Sequence, residues 1–313
     1  MKGGSPPLTG RTVVVTGASS GIGRETAREL AHRGAHVVLA VRSRERAEAT
    51  VAEIRSELPE ARLSYHLADL ALLGQVRRLA RELEAAYPKV DVLVNNAGAY
   101  FSRREVTVEG FERTWALNVL SPFLLTHLLV GRLQASAPAR VVNVSSMAHR
   151  GYPLNFDNLE GTRNYAGLRR YGQSKLALLL WGYELARRLD GTGVTVNAAH
   201  PGFVASGFGR NNPGFTGRFI GGLAFLFGHR PRAGARTVIY LASSPEVEGV
   251  TGRYFARQRA LRSSPESYDL AASARLWKIL SEEVGVPPEA FAHPAPARGG
   301  GEPSPVGPST ASG

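Results

Sequence analysis

A chain of 313 residues with an ordinary apolar fraction has enough side chain to bury one large α/β core. It contains no cysteine, which excludes disulfides, thiolate metal sites and thiol catalysis and is compatible with a reducing cytoplasm, the expected location. The formal charge of +12 comes from arginines scattered among glutamates, so we expect solvated helix faces and no nucleic-acid surface, while contact with an anionic membrane or an acidic partner stays open.

Residues 1–8 carry no apolar leader and are expected to form a short arm before the first strand. The apolar runs Leu176 to Trp181 and Phe219 to Phe227 fall short of the roughly 20 residues a bilayer span needs, so no transmembrane segment is expected. Arg11 to Thr16 is a short β-branched run and reads as a buried strand. It is followed by Gly17-Ala18-Ser19-Ser20-Gly21-Ile22-Gly23 and then by a helical pattern from Arg24 to Ala31. A strand, a glycine-rich turn and a helix are the context of a nucleotide-binding loop. Backbone N–H groups at the helix N-terminus can face a pyrophosphate, and the glycines let it approach.

The second strand, Ala35 to Val41, ends on Arg42. In a doubly wound sheet that end meets the adenosine ribose, where an acid suits NAD and a cation suits the 2′-phosphate of NADP, so NADP(H) is the expected cofactor. A helix over 43–58, a strand from Arg62 to Leu67, a helix over 72–86 and a strand from Val90 to Val94 continue the alternation. Such regularity predicts a single Rossmann-type, doubly wound parallel sheet of about seven strands with helices on both faces. Asp69 and Leu70 follow the third strand and Asn95-Asn96-Ala97-Gly98 the fourth, at the edge where ligands bind in this architecture.

The run from about Val108 to Leu133 is long, apolar and helical, and it carries Asn118 between Leu117 and Val119. An asparagine there is unfavourable unless its amide finds partners, either structural ones or a water or backbone group beside the cofactor. A strand from Arg140 to Val144 delivers Ser145-Ser146 to the same edge, and an irregular polar segment, Met147 to Arg170, follows. Next come Tyr171-Gly172-Gln173-Ser174-Lys175 and an apolar helical run. Four residues make about one helical turn, so the Tyr171 phenol and the Lys175 ammonium share a face. A fixed ammonium favours the phenolate and is expected to lower the Tyr171 pKa towards neutrality, where the phenol can exchange a proton with a carbonyl or alcohol.

Gly193 to Ala199 reads as the sixth strand, broken by His200-Pro201-Gly202, with His200 in a structural role. Residues 203–230 hold six phenylalanines and no acid and read as a lid over an apolar pocket, with a core helix or a contact between identical chains as the alternatives. A helix over 232–243, a strand from Val250 to Phe255 and a helix near 267–284 complete a domain spanning 9–292, and 293–313 has the composition of a disordered tail. No histidine, carboxylate or serine arrangement suggests a metal or a hydrolase.

Taken together, Thr16 to Gly23, Asn95 to Gly98, Asn118, Ser146, Tyr171 to Lys175 and Pro201-Gly202, all in this order, resemble the short-chain dehydrogenase/reductase family over about residues 10–256. Asn143 to His149, Thr126 to Leu129 and Glu184 to Leu189 look closest to its retinol dehydrogenase and WW-domain oxidoreductase-like branch, whose longer loop matches the interval between Ser146 and Tyr171. The resemblance implies a tetrad: Tyr171 as general acid/base, Lys175 lowering its pKa and binding the nicotinamide ribose, Ser146 donating to the substrate oxygen and Asn118 holding a proton-relay water. It also implies cofactor contacts from Gly17, Ser19, Ser20, Gly21, Ile22, Gly23, Arg42, Asp69, Leu70, Asn96, Ala97, Gly98, Tyr171, Lys175, Pro201, Gly202, Val204 and Ser206. The expected activity is NADP(H)-dependent interconversion of a small lipophilic carbonyl compound and its alcohol. A catalytically silent NADP-binding regulatory protein is the alternative.

Overall fold

The computed structural model describes residues 8–202 and 231–291. The arm before Leu8, the tail 293–313 and the aromatic segment 203–230, with Val204 and Ser206, lie outside the described residues.

In the first strand, β1 (Thr12–Thr16), Val13, Val14 and Val15 have no exposed surface. Val14 enters one apolar cluster, while Val13 and Val15 enter another on the opposite side. β2 (His36–Val41) divides the same way, with Val38 and Ala40 on one side and Val37 and Leu39 on the other. Side chains alternate along a strand, so a run that is apolar at every position requires cover on both faces.

That cover is supplied by helices. α1 (Gly21–His32), α2 (Arg44–Glu57) and a later helix over Pro231–Ser243 lie on one face. The other face carries α3 (Leu73–Ala86), α4 (Arg113–Gln134), α5 (Gly167–Arg188) and the last helix, Leu270–Val284. We number these last-named helices α6 (Pro231–Ser243) and α7 (Leu270–Val284) in chain order. Phe123 on α4 packs edge-on against Trp181 of α5 and Trp277 of α7, at 5.7 and 4.9 Å between centroids, and locks that layer together.

The remaining strands are β3 (Leu63–Leu67), β4 (Val92–Asn95), β5 (Ala139–Val144), β6 (Val194–His200), β7 (Tyr254–Ala256) and β8 (Arg259–Leu261), in the spatial order β3-β2-β1-β4-β5-β6-β7-β8. Seven strands run parallel, as expected, and β8 adds a three-residue antiparallel edge that its exposed, non-alternating residues conceal in the sequence. Between β1 and β4 the order reverses direction, which opens a crevice at the carboxyl ends of the strands.

Several boundaries differ from the expected ones. α4 begins at Arg113 because Val106 to Glu112 bridges back on itself and Glu112 accepts from the N–H groups of Thr114 and Trp115 as the cap. By length and composition α4 is also apolar enough to cross a bilayer, which a search for unbroken apolar runs overlooks; 72% of its apolar window is buried within the protein. The Tyr171 helix starts a turn earlier, at Gly167, and Met147 to Arg170 is not wholly irregular, since it contains two short 3-10 turns. The seventh strand is shorter than expected and starts at Tyr254, and α7 starts at Leu270, capped by the Asp269 side chain.

Candidate active site

The crevice is framed by two loops that a single hydroxyl holds together. Thr16 Oγ1 donates to Val94 O at 3.2 Å and accepts from the N–H groups of Asn96 and Ala97 at 2.9 and 3.0 Å. The Asn96 amide donates back to Thr16 O at 2.7 Å, so its side chain braces the loops. Sequence reasoning gave Thr16 no role of its own; its place just before the glycine loop is the only signal.

Gly17 and Gly21 adopt φ of 65° and 54°, where a side chain would be strained. A Cβ on Gly23 would stand 2.4 Å from both Gly17 O and Asn96 Nδ2, so the loop closes only with hydrogen there. Ser20 occupies the N-cap of α1 without capping it through its side chain, so among the described residues no side-chain cap takes up the first N–H groups of the helix. That arrangement fits a pyrophosphate. Ala18 is buried, and the Ile22 side chain packs into the apolar cluster, so only its backbone is placed to face a ligand.

At the ends of β2 and β3, Arg42 is 61% exposed and its Nη1 lies 3.8 Å from Asp69 Oδ2. Asp69 Oδ1 also accepts from Ala71 N–H at 3.0 Å, which shapes the turn, while the Leu70 side chain is buried in the core. On the far side of the crevice, Pro201 and half-buried Gly202, with φ of 82°, follow β6. Burial pulls the neighbouring His200 down to about 4, and among the described residues its Nδ1 has no hydrogen-bond partner.

Asn118, Ser146, Tyr171 and Lys175 converge beside β4 and β5. Asn118 sits in a π-helical turn, Ala116–Leu120, a distortion that recurs at functional sites. Its Nδ2 donates to Ala99 O and to Ser174 Oγ, both at 3.0 Å, and its Oδ1 accepts from Ala99 N–H. The buried amide is thereby satisfied and joins α4, the loop after β4 and α5. Ser174 was absent from the expected site, although it lies inside the Tyr-x-x-x-Lys stretch. Gly98 completes this corner: a Cβ on it would stand 3.2 Å from Asn118 Oδ1 and 3.2 Å from Lys175 Nζ.

Of the two serines after β5, Ser145 is buried with its hydroxyl turned to Lys175 O, and Ser146 hydrogen-bonds the Tyr171 phenol. Lys175 is 4% exposed, its Nζ donates to Val144 O at 2.9 Å, and it stands 5.7 Å from the centroid of the Tyr171 ring. The expected lowering of the Tyr171 pKa does not appear. Burial pushes the phenol up to about 12, opposed only by the Ser146 hydrogen bond, and burial pulls Lys175 down to about 8. Helical spacing fixes which side chains share a face but not how much water is removed from them, and here burial is the largest influence on the phenol.

The loop bearing Ser146 presses directly on α5. A Cβ on Gly172 would fall 2.2 Å from Tyr152 Cδ2 and 2.6 Å from Ala148 O. Tyr152 could swing aside, but the Ala148 carbonyl belongs to the turn that Ser146 caps. Gly172→Ala is therefore expected to push Ser146 away from Tyr171. Turnover should fall by about tenfold or more, the loss expected from a misplaced reacting group, and steady-state kinetics with a thermal melt will check it; unchanged turnover would show that the loop is not set by this contact.

The model of the short chain dehydrogenase family matches residues 11–213. Retinol dehydrogenase 13 of Mus musculus is 41% identical over 308 residues, covering 96% of this chain and 91% of that protein. An uncharacterized protein from Mycobacterium Paratuberculosis has a crystal structure that is 34% identical, with a TM-score of 0.74 over 90% of this chain and 96% of its own. The Pseudomonas aeruginosa RhlG/NADP active-site complex is 30% identical, with a TM-score of 0.65 over 80% and 96%. With a sheet that reverses at a glycine-lined crevice and a tyrosine, serine, lysine and asparagine gathered beside it, these likenesses make the chain a member of the short-chain dehydrogenase family, an oxidoreductase that uses a nicotinamide cofactor.

Proposed function

We propose that the chain is an NADP(H)-dependent oxidoreductase that interconverts a lipophilic aldehyde or ketone and its alcohol, with residues 9–292 as the catalytic domain. The observation that carries this reading is the Tyr171 phenol hydrogen-bonded to Ser146, beside buried Lys175 and next to the glycine loop. The cofactor, when bound, supplies or accepts hydride, which is the difficult part of the chemistry. The chain's own residues orient the substrate and move the proton.

Ser146 Oγ holds the substrate oxygen by a hydrogen bond, and Tyr171, protonated at neutral pH, donates its proton to that oxygen as the carbonyl is reduced. Lys175, with one N–H given to Val144 O, would have its remaining N–H groups to offer the ribose hydroxyls of a bound cofactor. Asn118 Oδ1, which accepts from Ala99 N–H, has capacity for a second hydrogen bond and could take one from a relay water. The backbone of Gly21 to Gly23 holds the pyrophosphate. Arg42, at the end of β2 where no acid stands, takes the 2′-phosphate. Support for a lipophilic substrate comes from the aromatic, acid-free composition of 203–230 and from the name of the mouse relative, retinol dehydrogenase 13.

The test is a panel of long-chain, terpenoid and small polar carbonyls, with the matching alcohols, followed at the nicotinamide absorbance with each cofactor. NADPH should be preferred over NADH, and Arg42→Asp should weaken NADPH by about 10–100-fold, the worth of one charge-assisted contact. An enzyme that uses NADH better, or turns over glyceraldehyde-sized substrates as efficiently as decanal, would overturn the corresponding half of the proposal.

A further inference from the structure

His149 closes the 3-10 turn Met147–His149 that Ser146 caps, and it is 1% exposed. Its Nδ1 lies 2.5 Å from Ser146 O, and its Nε2 lies 3.1 Å from the backbone nitrogen of Ser264. A backbone N–H can only donate and a carbonyl can only accept. Nε2 must therefore be the acceptor and Nδ1 must carry the proton, so the two contacts select one neutral tautomer. Around the ring, Tyr254 of β7 packs edge-on at 5.1 Å, and its hydroxyl donates to Met147 Sδ at 3.6 Å. Tyr254 also stacks over His200 at the end of β6, at 6.4 Å. The turn that carries Ser146 is thus held from β7 and from the segment before α7, and His149 touches both.

We propose that His149 is a positioning residue: held as its Nδ1–H tautomer between the Ser146 carbonyl and the Ser264 N–H, it fixes the turn that carries the Ser146 hydroxyl to Tyr171. This rests on the reading of Ser146 as the group that holds the substrate oxygen. His149 acts through the backbone of Ser146. Loss of the Nδ1–H would leave the Ser146 carbonyl held only by the longer bond from the His149 backbone N–H, at 3.2 Å, and loosen the turn.

A pH dependence follows from the same geometry. A second ring proton would set an N–H against the Ser264 N–H, two donors that repel each other, so the ring would be driven off its seat and the Ser146 bond disturbed with it, which is more than simple loss of the Ser264 link. The charged and titratable groups facing the ring are Arg150 on its own segment, His200 from β6, Tyr254 from β7 and Glu266 from the segment before α7. Burial, with Arg150, holds the imidazole below its ordinary value, and the Ser146 carbonyl and Glu266 oppose that shift without cancelling it. Activity should therefore be level through neutrality and show an acid limb below the ordinary imidazole range.

Two variants separate the two bonds. The amide nitrogen of His149→Asn stands near the place of Nδ1 and can still donate to Ser146 O, whereas His149→Gln reaches towards Ser264 and cannot make the Ser146 bond. We expect His149→Asn to keep kcat within about threefold of wild type and to lose the acid limb. His149→Gln should lose about tenfold in kcat at unchanged KM, the worth of one hydrogen bond realised in the transition state. The long-range nitrogen–proton spectrum of 15N-histidine-labelled wild-type protein, with His149 assigned by its loss in either variant, should show the Nδ1–H tautomer whether or not any substrate is known.

An Nε2–H tautomer, or an acid limb that persists unchanged in His149→Asn, would overturn the proposal. If the wild type turns over nothing in the panel, the proposed reaction has failed, and the imidazole spectrum still decides whether His149 holds the turn as described.

Discussion

Tyr171→Phe is expected to lower turnover by about 10²–10⁴-fold, the range for loss of a positioned general acid or base, while leaving cofactor affinity nearly unchanged. The substitution keeps the ring that packs beside Lys175 and deletes only the hydroxyl bonded to Ser146. Because burial raises the phenol to about 12, Tyr171 in the free enzyme is a proton donor throughout the neutral range. Reduction of a carbonyl should accordingly show a level kcat/KM there, whereas oxidation of an alcohol, which needs the phenolate, should become faster as pH rises. Lys175, pulled down to about 8, has lost about half of its charge by that pH and so limits how far the rise continues. Cofactor fluorescence titration and pH profiles in both directions check this. A variant that keeps more than a tenth of wild-type turnover would remove Tyr171 from its proposed role.

The architecture was legible because parallel strands leave a plain record. Val13 to Val15 and Val37 to Val41 are apolar at every position, and such runs, each followed by a helical period, leave few alternatives. Asn118 was legible for the opposite reason: an amide inside an apolar helix must find partners, and it finds Ala99 and Ser174. What could not be read were contacts made between segments distant in the chain. Nothing near His149 announces that Ser264, more than a hundred positions later, supplies its second partner. The Tyr171 pKa was misjudged because spacing reports neighbours and not solvent. β8 escaped because three exposed residues, Arg259 to Leu261, do not alternate with anything.

The buried ion cluster behind Tyr171 was equally hidden, and it sets the largest expected effect on stability. Arg170 is 3% exposed and Glu112 not at all; Arg170 Nε lies 3.8 Å from Glu112 Oε2, and the guanidinium stands over the Trp115 ring at 5.6 Å. Its other nitrogens donate to Leu159 O and, at 2.9 Å, to Gln173 Oε1, and Gln173 in turn donates to Pro153 O at 2.8 Å. Arg170 therefore binds the loop over 153–160 to the first turn of α5, while Glu112 caps the start of α4. Glu160, whose carboxylate accepts from Glu112 N–H at 2.5 Å, is already raised in pKa, first by burial, against the attraction of Arg170. Arg170→Met would fill most of the volume but leave Glu112 as a buried charge with its cation gone and two acceptors unpaired. Removing one partner of a buried pair costs about 3–5 kcal/mol. At roughly 2–4 °C per kcal/mol for a domain of this order of size, the melting temperature should fall by about 10 °C. Arg170→Lys should recover only part of it, since an ammonium cannot reproduce the planar fork. Calorimetry of the three proteins at neutral pH decides it: if Arg170→Met melts within about 2 °C of wild type, then the cluster contributes specificity of packing and no net stability.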